Sequence, residues 1–138
     1  MSLTTIRQGI QTRLETISGL RVYDRPPDSI NELPCAFILP LSGGYHATMR
    51  AASIQYEFEV TLLVSRASDM ADAQTKIDPY INPTGSKSIL YAIEGDATLG
   101  STVDTCWVAN FRDYGGLAYA GEVYFGCKFT LMAKVITV

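Results

Sequence analysis

The chain has 138 residues, 47% of them hydrophobic and 18% charged, and its 11 basic and 14 acidic side chains leave a formal charge of −3. That composition suits one soluble globular domain over 1–138 with a single core, and it offers no basic block to neutralise a nucleic-acid backbone. Its apolar runs fall far short of the ~20 residues of a membrane helix, and the start Met1-Ser2-Leu3-Thr4-Thr5-Ile6-Arg7-Gln8 lacks the basic-then-apolar order of a signal peptide.

Leu3, Ile6, Ile10, Leu14 and Ile17 recur at steps of three and four, the pattern of one apolar helix face. Ser2 suits its N-cap, and Gly19 supplies the left-handed position that stops it. Leu20–Asp24 then reads as a short strand. Pro26 and Pro27 fix φ and remove two donors, so the chain to Leu33 is a stiff surface loop. Cys35–Leu39 is continuously apolar, as in a strand covered on both faces. Ser42–Met49, with Gly43-Gly44, reads as a turn or extended loop.

Ala52–Ser65 alternates cleanly. Ile54, Tyr56, Phe58, Val60, Leu62 and Val64 share one face of a long strand, and Gln55, Glu57, Glu59 and Thr61 share a wet or partner-covered one. Ser68 or Asp69 can cap a second helix with Met70, Ala73, Ile77 and Tyr80 inward, and Asp78-Pro79 is expected to end or kink it. After the Asn82-Pro83-Thr84-Gly85 turn, Ser86 caps a third helix with Ile89, Leu90 and Ile93 inward, closing near Gly95.

Two strands follow. Val103, Thr105, Trp107, Ala109 and Phe111 alternate with Asp104, Cys106, Val108 and Asn110; beyond a Gly115-Gly116 turn, a run from Tyr119 to Val135 alternates again. That run exceeds an average strand, so Gly121 or Gly126 is expected to mark a bulge or bend. The order α-β-β-β-α-α-β-β predicts an α+β domain, with helices on one face of a mostly antiparallel sheet.

No reactive constellation emerges from this pattern, and no cofactor or metal set is implied. His46 is the single histidine and lies in the glycine-rich segment without a nearby carboxylate. Cys35, Cys106 and Cys127 are widely spaced in apolar strands and read as buried free thiols. Gly85-Ser86-Lys87-Ser88 comes near a phosphate-binding loop, but Ser86 separates the glycine from the lysine and no apolar strand precedes it. Asp69 with Asp72, and Asp24 with Asp28, read as capping and turn acids. Glu57 and Glu59 read as a solvated strand edge or as a subunit contact with Arg50 or Arg66. Tyr45, Tyr114 and Tyr119 sit in or beside glycine-rich segments, where exposed tyrosines favour protein interfaces.

The stretch Gly19–Pro40, together with Ile77-Asp78-Pro79-Tyr80, the segment Gly85–Gly100 and the strand pair Val103–Val135, resembles the tail-terminator (tail-completion) proteins of bacteriophages with long non-contractile tails. The resemblance implies a virion protein, assembled in the host cytoplasm, whose copies form a homo-hexameric ring on the tail tube. Such a ring halts the tube protein and offers a docking surface to the head-tail connector or head-closure protein. It needs no catalytic residue, cofactor or metal, and touches neither membrane nor specific nucleic acid. By location, the contacts map to Arg25, Pro27 and Asp28 in the proline loop, to Ser42, Gly43, Gly44, Tyr45, His46 and Arg50, and to Tyr114, Gly115, Gly116 and Tyr119. The neighbouring alternative is another head-tail joining protein. The alternative of a different class is a small intracellular ligand-binding or enzymatic domain with a pocket near Tyr56 and Trp107.

Overall fold

A computed structural model describes residues 3–45, 53–66, 72–99 and 103–136 of the chain. The elements are α1 (Leu3–Leu14), β1 (Arg21–Tyr23), β2 (Cys35–Tyr45), β3 (Ser53–Arg66), α2 (Ala73–Ile81), α3 (Ile89–Glu94), β4 (Thr105–Tyr119) and β5 (Glu122–Ile136). The strands form one sheet in the order β1-β2-β3-β5-β4; β1 lies parallel to β2 and every other pair is antiparallel. This is the α+β arrangement expected from the sequence.

The helices cover one face of the sheet. Ile6, Ile10 and Leu14 of α1, Ile77 and Tyr80 of α2, and Ile89 and Ile93 of α3 pack on Ile38, Phe58, Val60, Leu62, Cys127, Phe129 and Leu131. Burying a large aliphatic side chain is worth about 1.5–3 kcal/mol, so this layer is the main source of stability. The α-helix ends at Leu14, and the chain then tightens: Ile17 N–H donates to the Leu14 carbonyl at 3.0 Å, which keeps Ile17 buried. Gly19 at φ +83° makes the left-handed exit.

Several local expectations are corrected. Ser42–Tyr45 is strand, paired with Glu57–Ile54, because the glycines have nothing to break on an exposed ladder; the rest of that segment and the caps Ser2, Ser68 and Asp69 lie outside the described residues. Leu39 is 38% exposed, so β2 is covered on both faces only up to Ile38. Pro79 lies inside α2, where its missing N–H withdraws a single ladder bond, and Asn82 N–H still closes on the Asp78 carbonyl at 3.1 Å. Ser88, not Ser86, caps α3, its hydroxyl accepting from Tyr91 N–H at 3.1 Å, and Ala92 replaces Leu90 among the buried positions. Gly115-Gly116 runs through β4; the turn is Ala120-Gly121, both at positive φ (52° and 82°), the signature of a two-residue type I′ hairpin.

The sheet is bent at one place. On β5, Gly126 faces Leu63, and the next pair is Phe125 with Ser65, so β3 carries an extra residue there. On the other side Arg112 faces Lys128 and Gly115 faces Gly126, leaving Asp113 and Tyr114 opposite Cys127 alone. Both neighbours of β5 therefore bulge beside Gly126, and bulges bend and twist a sheet. A third bulge at Ala109 switches the faces of β4: Cys106 and Val108 look toward the helices, whereas Asn110 and Arg112 look outward.

Gly126 is thus the residue on which the bend turns. A Cβ there would stand 1.9 Å from the Leu62 carbonyl oxygen, a backbone atom that cannot swing away, whereas a Cβ on Gly44 meets nothing within 4 Å. Gly126→Ala should destabilise the fold by at least about 3 kcal/mol, while Gly44→Ala should be neutral or stabilise by up to about 1 kcal/mol. Urea midpoints of the two variants check this, and equal midpoints would refute the role given to Gly126.

Candidate functional site

The bend shapes the face away from the helices. In a flat sheet, β4 stands three strand spacings from β2, about 14 Å. Here the Tyr119 ring of β4 lies 4.8 Å from the Phe37 ring of β2, and the Tyr119 hydroxyl donates to the Pro27 carbonyl. The hairpin end has folded over the outer face. Ile30, Cys35, Phe37, Leu63 and Tyr124 are buried beneath it as a second apolar cluster, with Tyr23, Leu33, Leu117 and Tyr119 against it.

Next to this cluster the outer face is open as a groove of about 340 Å³. Phe37, Leu39, Leu63 and Leu117 make its apolar sides, and Thr61, Glu59 and Lys128 its polar end. Glu59 is only 7% exposed. Its Oε1 accepts from Arg112 Nη2 at 2.8 Å and faces Lys128 Nζ at 3.5 Å. Arg112 is engaged on three sides, since Nε donates to Thr130 Oγ1 at 3.4 Å and Nη1 to Asp113 at 3.0 Å. The bond to Glu59 is the largest cause that raises the Arg112 pKa. Lys128 keeps donors to spare at the groove wall.

These positions correct the sequence reading of the acids. Glu59 pairs with Arg112 and Lys128 across the bent face rather than sitting on a wet edge, and Arg66 pairs with Glu122 instead. Tyr124 and Arg66 together hold the Glu122 carboxyl below the usual range, with the Tyr124 hydroxyl bond the larger cause. Alternation does place Glu59 and Lys128 on one face of adjacent strands, but the bulges that bring Arg112 to them leave no trace in a period-two pattern.

The predicted contact residues divide into separate places. Pro27 and Tyr119, far apart in sequence, are joined by a hydrogen bond, with Arg25 and Asp28 exposed beside them and Gly116 lining the groove. Tyr114 points to the helix side, its ring edge-on to Phe125 at 5.3 Å and its hydroxyl donating to Asp78 Oδ1 at 3.3 Å. Gly115, at φ +142°, belongs to the bulge between them. Ser42, Gly43, Gly44 and Tyr45 form the far end of β2, where Tyr45 is 78% exposed. His46 and Arg50 lie outside the described residues. Tyr56 and Trp107, expected to line one pocket, stand on opposite faces of the sheet: Tyr56 packs on the helix-side core, whereas Trp107 pairs with Met132 in the opposite orientation to Cys106. The residues that the sequence reading missed are Phe37, Leu39, Thr61, Leu117 and Lys128.

The thiols are held as buried neutral groups. Burial raises Cys35 to about 11 and Cys106 and Cys127 to about 12, with Glu94 adding to the effect on Cys106. Among the described residues no group of three or more His, Cys, Asp or Glu is placed to hold a metal ion.

Two tests follow from this chemistry. A thiol whose folded pKa lies above its ordinary 9.0 contributes stability that is complete below pH 9 and lost as pH rises through about 11 to 12. The urea midpoint should therefore fall over that window, and a disulfide reagent at pH 8 should label no cysteine until the chain is unfolded; rapid labelling of the native chain would contradict it. Glu59→Ala strands two cations that are 36% and 30% exposed. It should cost about 1–3 kcal/mol, less than a fully buried pair would, and an unchanged midpoint would remove Glu59 from the bend.

No protein-family model matches the chain and no curated protein matches it, so the reading of this surface rests on its own residues.

Proposed function

We propose that this chain is a ring-forming structural protein of a phage tail, a tail terminator whose ring caps the tail tube and receives the head connector. The observation that carries the reading is that, among the described residues, the sheet is open at both margins. Within them β1 covers β2 only from Cys35 to Phe37, so β2 from Ile38 to Tyr45 is paired on one side alone, and β4 is paired only with β5. Unpaired strand edges invite a further strand. The two edges differ and lie at opposite margins, so one copy offers what the next one lacks. Contacts of that heterologous kind generate closed rings when the rotation closes.

Direction fits as well. β2 and β4 run antiparallel to one another through the sheet, so a neighbour carried round by rotation lays its β2 antiparallel to β4. Among the described residues, five of the eight exposed large apolar side chains lie on these two elements, Leu39, Leu41 and Tyr45 on β2 and Phe111 and Tyr114 on β4; the others are Leu3, Tyr91 and Val123. The resemblance of Gly19–Pro40, Ile77–Tyr80, Gly85–Gly100 and Val103–Val135 to tail terminators supplies the biological role of such a ring.

Sedimentation velocity and negative-stain imaging at increasing concentration test the proposal. Discrete rings, and rings seated on the ends of tail tubes, are the expected result. A chain that stays monomeric at high concentration and leaves tube ends growing would overturn it.

A further inference from the structure

On the helix side of the sheet a second cavity, of about 300 Å³, lies between α2, the start of β2 and the end of β3. Thr75 and Pro79, like Lys76 and Tyr80, are four residues apart and stand one above the other on one side of α2. Pro34 and Val64 supply apolar surface, and Lys87 lines the cavity from the turn before α3. That lysine belongs to Gly85-Ser86-Lys87-Ser88, the segment that comes near a phosphate-binding loop in sequence. Ser88 is not free to serve such a loop, since its hydroxyl donates to the Asn82 carbonyl and accepts from Tyr91 N–H.

The side chains that line this cavity bring two ammonium groups and two hydroxyls, with no carboxylate among them. Asp78 of the same helix is engaged elsewhere, by the Tyr114 hydroxyl. Among the described residues Lys76 and Lys87 have no ion-pair partner, and the hydroxyls of Thr75 and Tyr80 have no hydrogen-bond partner. Two uncompensated cations thus meet at one place in a chain whose formal charge is −3. Tyr80 is only 3% exposed, and a polar group so placed is ordinarily paired. Burial also raises its pKa, so at neutral pH it is a donor in want of an acceptor.

We propose that this cavity binds a small phosphate monoester, its phosphoryl oxygens between Lys76 and Lys87 and accepting from the Tyr80 and Thr75 hydroxyls, its apolar body against Pro34, Val64 and Pro79. A phosphate monoester carries roughly two negative charges near neutral pH, which matches the two lysines, and lysine holds phosphate as a point charge. A carboxylate would leave one of the cations uncompensated. At 300 Å³ the cavity lies at the low end of ligand pockets, so the body is no larger than a single aromatic ring. The site is on the opposite face from the groove and needs no second copy of the chain. It therefore goes beyond the ring reading and holds whether or not rings form.

Isothermal titration with phenyl phosphate tests the site, with inorganic phosphate and benzoate as comparators. The first comparator keeps the charge and lacks the body; the second keeps the body and carries a single charge. Phenyl phosphate should bind saturably and at least about tenfold more tightly than either. Lys76→Gln and Lys87→Gln should each weaken it at least about tenfold, the scale of a charged hydrogen bond. Both lysines are exposed and unpaired, so the urea midpoints of these variants should match that of the unchanged chain. Tyr80→Phe should weaken binding about threefold yet hold or raise the midpoint, because it removes a buried hydroxyl without a partner in the protein. A hydroxyl with a purely structural role would do the reverse, lowering the midpoint and leaving binding unchanged, and that result would overturn the assignment. So would the absence of saturable binding, inorganic phosphate or benzoate binding as tightly as phenyl phosphate, or a lysine variant that binds like the unchanged chain.

Discussion

The outer face depends on a backbone contact that involves no side chain at all: the approach of Gly126 to the Leu62 carbonyl. A strand at the centre of a sheet normally keeps its neighbours at one spacing and in one register. Here both neighbours of β5 take in extra residues within a step or two of the same glycine, and the sheet turns there. The helix-side core lies on the convex side of that turn and needs nothing special from it. The second cluster, the tether between Tyr119 and Pro27, and the groove exist only because of it.

The bend also explains how a carboxylate comes to be buried on a face that alternation alone would leave wet. Taking Glu59 from water is unfavourable unless charge and hydrogen bonds return what solvation gave. Arg112 does so because the Ala109 bulge has turned it outward, and the guanidinium is in turn fixed by Thr130 and Asp113. Lys128 completes the neutralisation from the neighbouring strand. The polar end of the groove and the curvature of the sheet are therefore two aspects of one arrangement.

Much of the architecture was legible in the chain because it follows from periodicity. The spacing of Ile6, Ile10 and Leu14 marked the buried face of α1, and the alternation from Ile54 to Val64 marked β3. What escaped was set by context. Gly43-Gly44 and Gly115-Gly116 look like turns to a local rule, yet both pairs lie in ladders held by long partners, while the turn itself uses Ala120 at positive φ. Ser86 and Ser88 are equally good caps by residue type, and only the hydroxyl contact of Ser88 with Tyr91 separates them. The groove was hidden for the same reason: its walls come from β2, β3, β4 and β5, and no segment contains enough of them to show a motif.

The strand order also bears on how the protein acquires its shape in time. β5 follows β3 and β4 in the chain but lies between them, so strands cannot be added to the sheet in the sequence in which they are made. The β4–β5 hairpin can close early through its two-residue turn. Its docking on β3, where Ile54 meets Val135, must then bring together residues from opposite halves of the chain. Such long-range pairing makes folding slow relative to helical proteins. Until it happens, β3 carries an unfilled edge of fourteen residues, and a growing chain in this state is most exposed to pairing with the wrong partner.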